Sequence, residues 1–150
     1  MKQTHVRHYV TKLLVEIMFY GGIVVCVALP FIMPRLLAFV GGSQEMRLHY
    51  TIVLLSSGMC AVYILFQLKR MFRTLVGGNP FIVQNVSCLR QCAVASALIA
   101  FIYFVRLLMW FTIPAAIIMI VFAMLSLFSL TLKDLFKQAV TYKEETDWTV

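Results

Sequence analysis

Glu16 is the one acid that falls inside an apolar stretch of this chain. An ionisable group held in hydrocarbon is by default a candidate for proton or ion chemistry. Arg106 is its cationic counterpart in the third apolar stretch, some four turns along. If both stretches cross a bilayer, the two are too far apart along the axis to meet, and snorkelling to headgroups is the expected role of Arg106. Glu16 lies one turn past Lys12 and is expected to pair with Lys12, or with Arg70 or Arg90 at the same depth. Cys88 and Cys92 stand at helical i, i+4 spacing, and His5 with His8 has the look of half a metal site. Neither is completed by further ligands of the usual kind. Cys26 and Cys60 fall in apolar stretches, where a thiol acts as a small hydrophobe. His49 stands alone at a boundary. No Ser/His/Asp set, phosphate-cradling glycine loop or metal cluster can be assembled. The sequence therefore predicts a non-enzymatic protein with no catalytic residues, no cofactor and no metal.

The elements that carry these residues are four apolar stretches, roughly 13–33, 50–68, 93–110 and 113–132. Each approaches the ~20 residues needed to cross ~30 Å of hydrocarbon. Backbone groups in lipid must be satisfied within the segment, and long apolar runs rather than short alternating strands select helices over a barrel. The fold class predicted is all-α: an integral membrane bundle of four transmembrane helices. With 150 residues, 62% of them hydrophobic, and a mean hydropathy of +0.92, the chain reads as one membrane domain. Lys2, Arg7 and Lys12 precede the first stretch as they would in a signal peptide. That stretch is longer than a signal h-region of ~7–15 residues, and no small-x-small site follows, so a retained helix is expected.

The net charge of +7 is distributed around the spans rather than gathered for nucleic acid, and no direct nucleic-acid binding is expected. Lys2, Arg7 and Lys12 lie before span one, Lys69, Arg70, Arg73 and Arg90 between spans two and three, and Lys133, Lys137 and Lys143 after span four. Only Arg35, Arg47 and Arg106 lie on the other side. The positive-inside rule then puts both termini and the 2–3 connection in the cytoplasm of a cell whose plasma membrane holds the protein. Cations at these places also suit anionic headgroups, so the lipid bilayer is itself a partner.

Local signals refine the picture. Pro30 should kink the outer third of span one, and Gly21-Gly22 offers a face for close helix approach. Gly41-Gly42 stops the chain, with Ser43 as N-cap of a helix unbroken from Gln44 to about Leu75. Gly77-Gly78 ends that helix; Asn79 is expected to cap the next and Pro80 to sit at its first position. A helical cytoplasmic hairpin between helices two and three follows. Ile82, Val86, Leu89 and Ala93 form one apolar stripe on helix three, with Gln84, Ser87, Cys88 and Gln91 away from it. Ala93, Ser96, Ala97 and Ala100 make a close-packing face that could serve a homo-oligomer. Trp110-Phe111-Thr112 before Pro114 reads as a tight outer turn. Beyond span four, Leu132, Leu135, Phe136, Ala139 and Val140 describe an amphipathic helix over about 132–145. Its apolar face must be buried against the bilayer, the hairpin or a partner.

Two segments also carry a resemblance. Gly78-Asn79-Pro80-Phe81-Ile82-Val83-Gln84-Asn85-Val86 with Leu89-Arg90 resembles the signature of the domain of unknown function 2975 family, known from bacteria. The ending Ala139-Val140, Lys143-Glu144-Glu145, Asp147 and Thr149-Val150 resembles the same family's C-terminal motif. The chain departs from it at Gln84, where an acid is frequent, at Ser87-Cys88, where basic residues are, and at Trp148, which stands for leucine. The resemblance implies a four-span protein of unknown activity, often encoded beside a small helix-turn-helix regulator.

The expectation for function is a regulatory or scaffold protein that binds a cytoplasmic partner such as that regulator. Its docking residues would be Gly78, Asn79, Pro80, Phe81, Asn85, Arg90, Leu135, Phe136, Glu144, Glu145, Asp147 and Val150. The rival is a small proton-coupled transporter or immunity protein that uses Glu16, with an arrangement similar to that of small multidrug exporters.

Overall fold

Apolar runs without strand alternation fold into four long helices: α1 (Lys2–Phe39), α2 (Gln44–Val76), α3 (Val83–Met109) and α4 (Ile113–Trp148). The computed structural model describes residues 2–41 and 43–149, with side chains except at 2–5 and 7. Expectations placed on Gly42, on Val150 and on the side chains of Lys2, His5 and Arg7 lie outside the described residues. All four helices are long and apolar enough to cross a membrane.

Polar side chains share the interior while large apolar ones cover the outside. Ser57, Gln67, Asn85, Ser96, Ser126 and Ser129 are buried, while Phe31, Phe101, Phe111 and Phe128 face outward. Exposed large apolar side chains over whole helix faces mark a surface whose solvent is lipid. The chain thus has a multi-pass membrane architecture.

The expected bundle is open rather than closed. Among the described residues α1 packs on α2, α2 on α3 and α3 on α4, and no other helix pair is in contact. The core lies along α3, where Cys92, Ala95, Ile99 and Tyr103 join Val53 and Ile64 of α2 and Ala115 of α4. Small residues let the backbones approach, as membrane helices require in the absence of a hydrophobic drive between them. Ser126 of α4 donates from its hydroxyl to the Ala93 carbonyl at 2.9 Å. Ala93, Ser96 and Ala100 are therefore consumed inside the chain, and Ala97 of the expected face points outward.

On the other side of α2, Gly58 is what brings α1 close. A Cβ built at Gly58 would stand 2.8 Å from Cys26 Sγ, closer than real contacts allow. Gly22 also faces α2, toward Leu65 and Val62, whereas Gly21 faces open space. The α1 helix continues through Pro30 and Pro34 to Phe39. Ser43 caps α2 as expected, its hydroxyl accepting from the Met46 N–H at 3.4 Å.

Candidate functional site

The connection between α2 and α3 is built around a residue within α3 rather than at its cap. Gly77 terminates α2, its N–H donating to the Arg73 carbonyl, and Gly78 turns the chain at φ +87, a conformation open to glycine at little cost. The expected cap at Asn79 does not form. α3 begins only at Val83, Ile82 occupies the N-cap position without a side-chain bond, and Pro80 lies in the loop. The physical reason is Asn85. Its side chain is 0% exposed and its Nδ2 donates to the Pro80 carbonyl at 2.6 Å. The single proton of the Thr74 hydroxyl is shared between Asn85 Oδ1 at 2.8 Å and the Met71 carbonyl at 2.7 Å. One buried amide thus ties loop, α2 and α3 together, and a bond to the Pro80 carbonyl holds the chain off the helical path until Ile82.

This register moves the buried face of α3. Asn85, Cys88, Leu89, Cys92 and Ala93 are buried, so Cys88 belongs to the inward face and not, as the apolar stripe suggested, away from it. Further along, the Gln67 and Gln91 amides bond to each other across α2 and α3. With its amide turned so that the oxygen faces Arg70, Gln84 accepts from Arg70 Nε at 2.8 Å and Nη2 at 3.1 Å.

The loop meets the end of α4. Asn79 Oδ1 accepts from the Lys143 ammonium at 3.1 Å, and the Phe81 and Phe136 rings meet at a tilt of 48° with 5.4 Å between centroids. The amphipathic tail therefore buries part of its apolar face on the hairpin: Val140 is buried, and Phe136 and Ala139 are half-buried. Leu135 is 56% exposed, and Lys143, Glu144, Glu145, Asp147 and Trp148 are exposed. With 36 residues, α4 reaches about 54 Å at 1.5 Å per residue. That exceeds the roughly 30 Å of a hydrocarbon core, so its last turns extend past the slab beside the loop.

The structure thus gathers Gly78, Asn79, Pro80, Phe81 and Phe136 at one end of the molecule and leads Glu144, Glu145 and Asp147 out from it. Asn85, expected among the docking residues, is an internal staple instead. Arg90 points elsewhere, lining a groove of about 610 Å³ between α2 and α3 with Tyr63, Ser87, Gln91 and Val94.

Glu16 pairs with none of the cations expected for it. Its carboxylate lies 3.9 Å from the Lys69 ammonium, which also sits 5.1 Å and 4.9 Å from the Phe19 and Tyr20 ring centroids. The space beside the pair is about 10 Å³, roughly one water probe. The pair is a contact between α1 and α2. At the opposite end of α2, the Arg106 guanidinium rests 4.4 Å from the Tyr50 ring centroid. Tyr50 and Lys69 are about 28 Å apart along α2 at 1.5 Å per residue, so Glu16 and Arg106 occupy opposite ends as expected. His49, alone in the sequence, packs edge-on against Trp110 at 5.4 Å. Sequence reasoning had no signal for that meeting, because His49 lies in the first turns of α2 and Trp110 at the end of α3, far apart along the chain.

In comparisons with known proteins, residues 10–150 match the family described as Protein of unknown function (DUF2975). No curated protein and no solved structure matches the chain.

Proposed function

We propose that this chain, which belongs to the DUF2975 family of unknown function, is a non-enzymatic regulatory or scaffold protein that docks a cytoplasmic protein on its hairpin and tail. The observation that carries the reading is the joining of loop and tail through Asn79–Lys143 and Phe81–Phe136. Two segments distant in sequence make one surface, from which Leu135, Tyr142 and Trp148 project. Four of the chain's six acids follow span four, at Asp134, Glu144, Glu145 and Asp147. An acidic helix end complements the basic face of a DNA-binding domain. The partner of this reading is the small helix-turn-helix regulator that the family resemblance implies, and the acidic tail end is compatible with such a basic domain. The cytoplasmic placement of this face rests on the cations flanking it, and the plasma membrane is the bilayer intended.

Deleting the residues after Lys137 tests the reading in co-purification from native membranes. Loss of a helix-turn-helix protein from the complex supports docking. Its retention at the full-length level contradicts it.

The transporter reading rests on Glu16 alone. Glu16→Gln should leave export and resistance phenotypes unchanged; their loss would return weight to that reading.

A further inference from the structure

At the end of the molecule opposite the hairpin, the geometry points to a binding site for a phosphate-class oxyanion. A cavity of about 150 Å³ is lined there by His49, Tyr50, Arg106, Trp110, Phe111 and Thr112. Among the described residues three buried side-chain polar atoms have no hydrogen-bond partner, and two of them, His49 Nε2 and Thr112 Oγ1, belong to this lining. Leaving such atoms unpaired is destabilising, and native proteins keep few of them without a use.

The sequence around each explains why it stays unpaired. Thr112 occupies the N-cap of α4, where its oxygen would ordinarily accept from the second or third N–H of the helix. Pro114 at the second position has no N–H, which removes one of the two ordinary donors, and Thr112 makes no capping bond to the other. Its hydroxyl is left for another partner. The His49 ring packs at 69° to that of Trp110, and its Nε2 has no hydrogen-bond partner. Arg106 stacks its guanidinium on Tyr50, a contact that uses the face of the fork and not its N–H groups. No described carboxylate forms a salt bridge with it.

Residues of α2, the last turn of α3 and the 3–4 connection therefore line one space. An arginine fork matches carboxylate and phosphate alike; a hydroxyl and an imidazole nitrogen, which donates when it carries the proton, add contacts from other elements that suit a group with more than two oxygens. The volume is close to that of an engineered cavity that accepts benzene, enough for a phosphate group and too small for a drug-sized ligand. Trp and Tyr are the residues that gather at headgroup depth. A phosphodiester of a lipid headgroup and a free phosphate would present the same oxygens here.

The test uses the full chain in maltoside micelles free of phosphate. Thermal unfolding is followed while inorganic phosphate, or separately short-chain phosphatidylglycerol, is titrated. The expected result is a saturable rise in Tm. A response to both probes assigns a general phosphate site, and a response to the lipid alone assigns a headgroup site. Arg106→Gln should weaken the apparent affinity at least about tenfold. Thr112→Val provides a control in which folding and binding move oppositely. Removing an unpaired hydroxyl should leave the ligand-free Tm unchanged or higher while weakening binding about fivefold. Absence of any saturable response to both probes would overturn the proposal, as would equal affinities for wild type and Thr112→Val.

Discussion

The side-chain oxygen of Asn79 accepts a hydrogen bond from the Lys143 ammonium at 3.1 Å, and with it the loop between α2 and α3 is tied to the tail of α4. The bond is exposed, so it contributes on the order of 0.5 kcal/mol. The Phe81–Phe136 pair beside it is worth roughly 0.5–1.5 kcal/mol beyond its burial. These are energies that position a tail without making it inseparable from the hairpin.

Phe136→Ala should therefore release the tail while the helices stay packed. Hydrogen exchange should rise across residues 137–149 and remain unchanged in 92–103. Equal exchange in both segments would mean that the tail is held by contacts other than this pair.

Asn85→Ala should be far more damaging, because the Pro80 carbonyl loses its donor and Thr74 loses an acceptor in a fully buried place. A loss of about 2–3 kcal/mol is expected from chemical unfolding in micelles. Proteolysis should appear near Gly77–Phe81. A loss below about 0.5 kcal/mol would show that the loop does not depend on this amide.

Gly58 makes a third test. Gly58→Ala should destabilise the α1–α2 contact, since the new methyl meets Cys26 Sγ at 2.8 Å. Cys26→Ala should relieve that clash. A double-mutant cycle is expected to yield a favourable coupling of about 1 kcal/mol between the two changes. Additive effects would place the strain elsewhere.

Gln84→Glu should convert the Arg70–Gln84 contact into an ion pair. The gain is expected to be about 0.5 kcal/mol at low salt and to fade as ionic strength rises. A salt-independent change of either sign would rule out that contact as its source.

Four spans, the Ser43 cap and the unbroken length of α2 were legible in the sequence because each depends on local chemistry: apolar length, a capping hydroxyl, the absence of breakers. The start of α3 was not. Asn79-Pro80 is a strong local signal for a helix start, but a buried amide at Asn85 offers the Pro80 carbonyl a better partner than water, and the tertiary contact wins. The same blindness applies to Lys69, the partner of Glu16, and to Cys88. Which cation faces an acid, and which side of α3 turns inward, depend on how two helices rotate about their axes, and many apolar or small residues fit either rotation. Gly58 carries no signal of its own in the sequence, because only the neighbouring helix reveals what its missing side chain makes room for. That the tail packs on the hairpin was one of three places open to its apolar face; the contacts that join them, Asn79–Lys143 and Phe81–Phe136, pair side chains that no local pattern links.

The central claim, that hairpin and tail together dock a helix-turn-helix regulator, is tested most directly by photo-crosslinking in native membranes. A photoreactive amino acid is placed at Tyr142 or Trp148 on the exposed tail, with the outward-facing Leu98 in α3 as a control. The account predicts a crosslink from the tail positions to a helix-turn-helix protein identified by mass spectrometry, absent from Leu98 and lost when Glu144 and Glu145 are changed to Lys. Crosslinks from Tyr142 and Trp148 only to lipid or to copies of the same chain would contradict it.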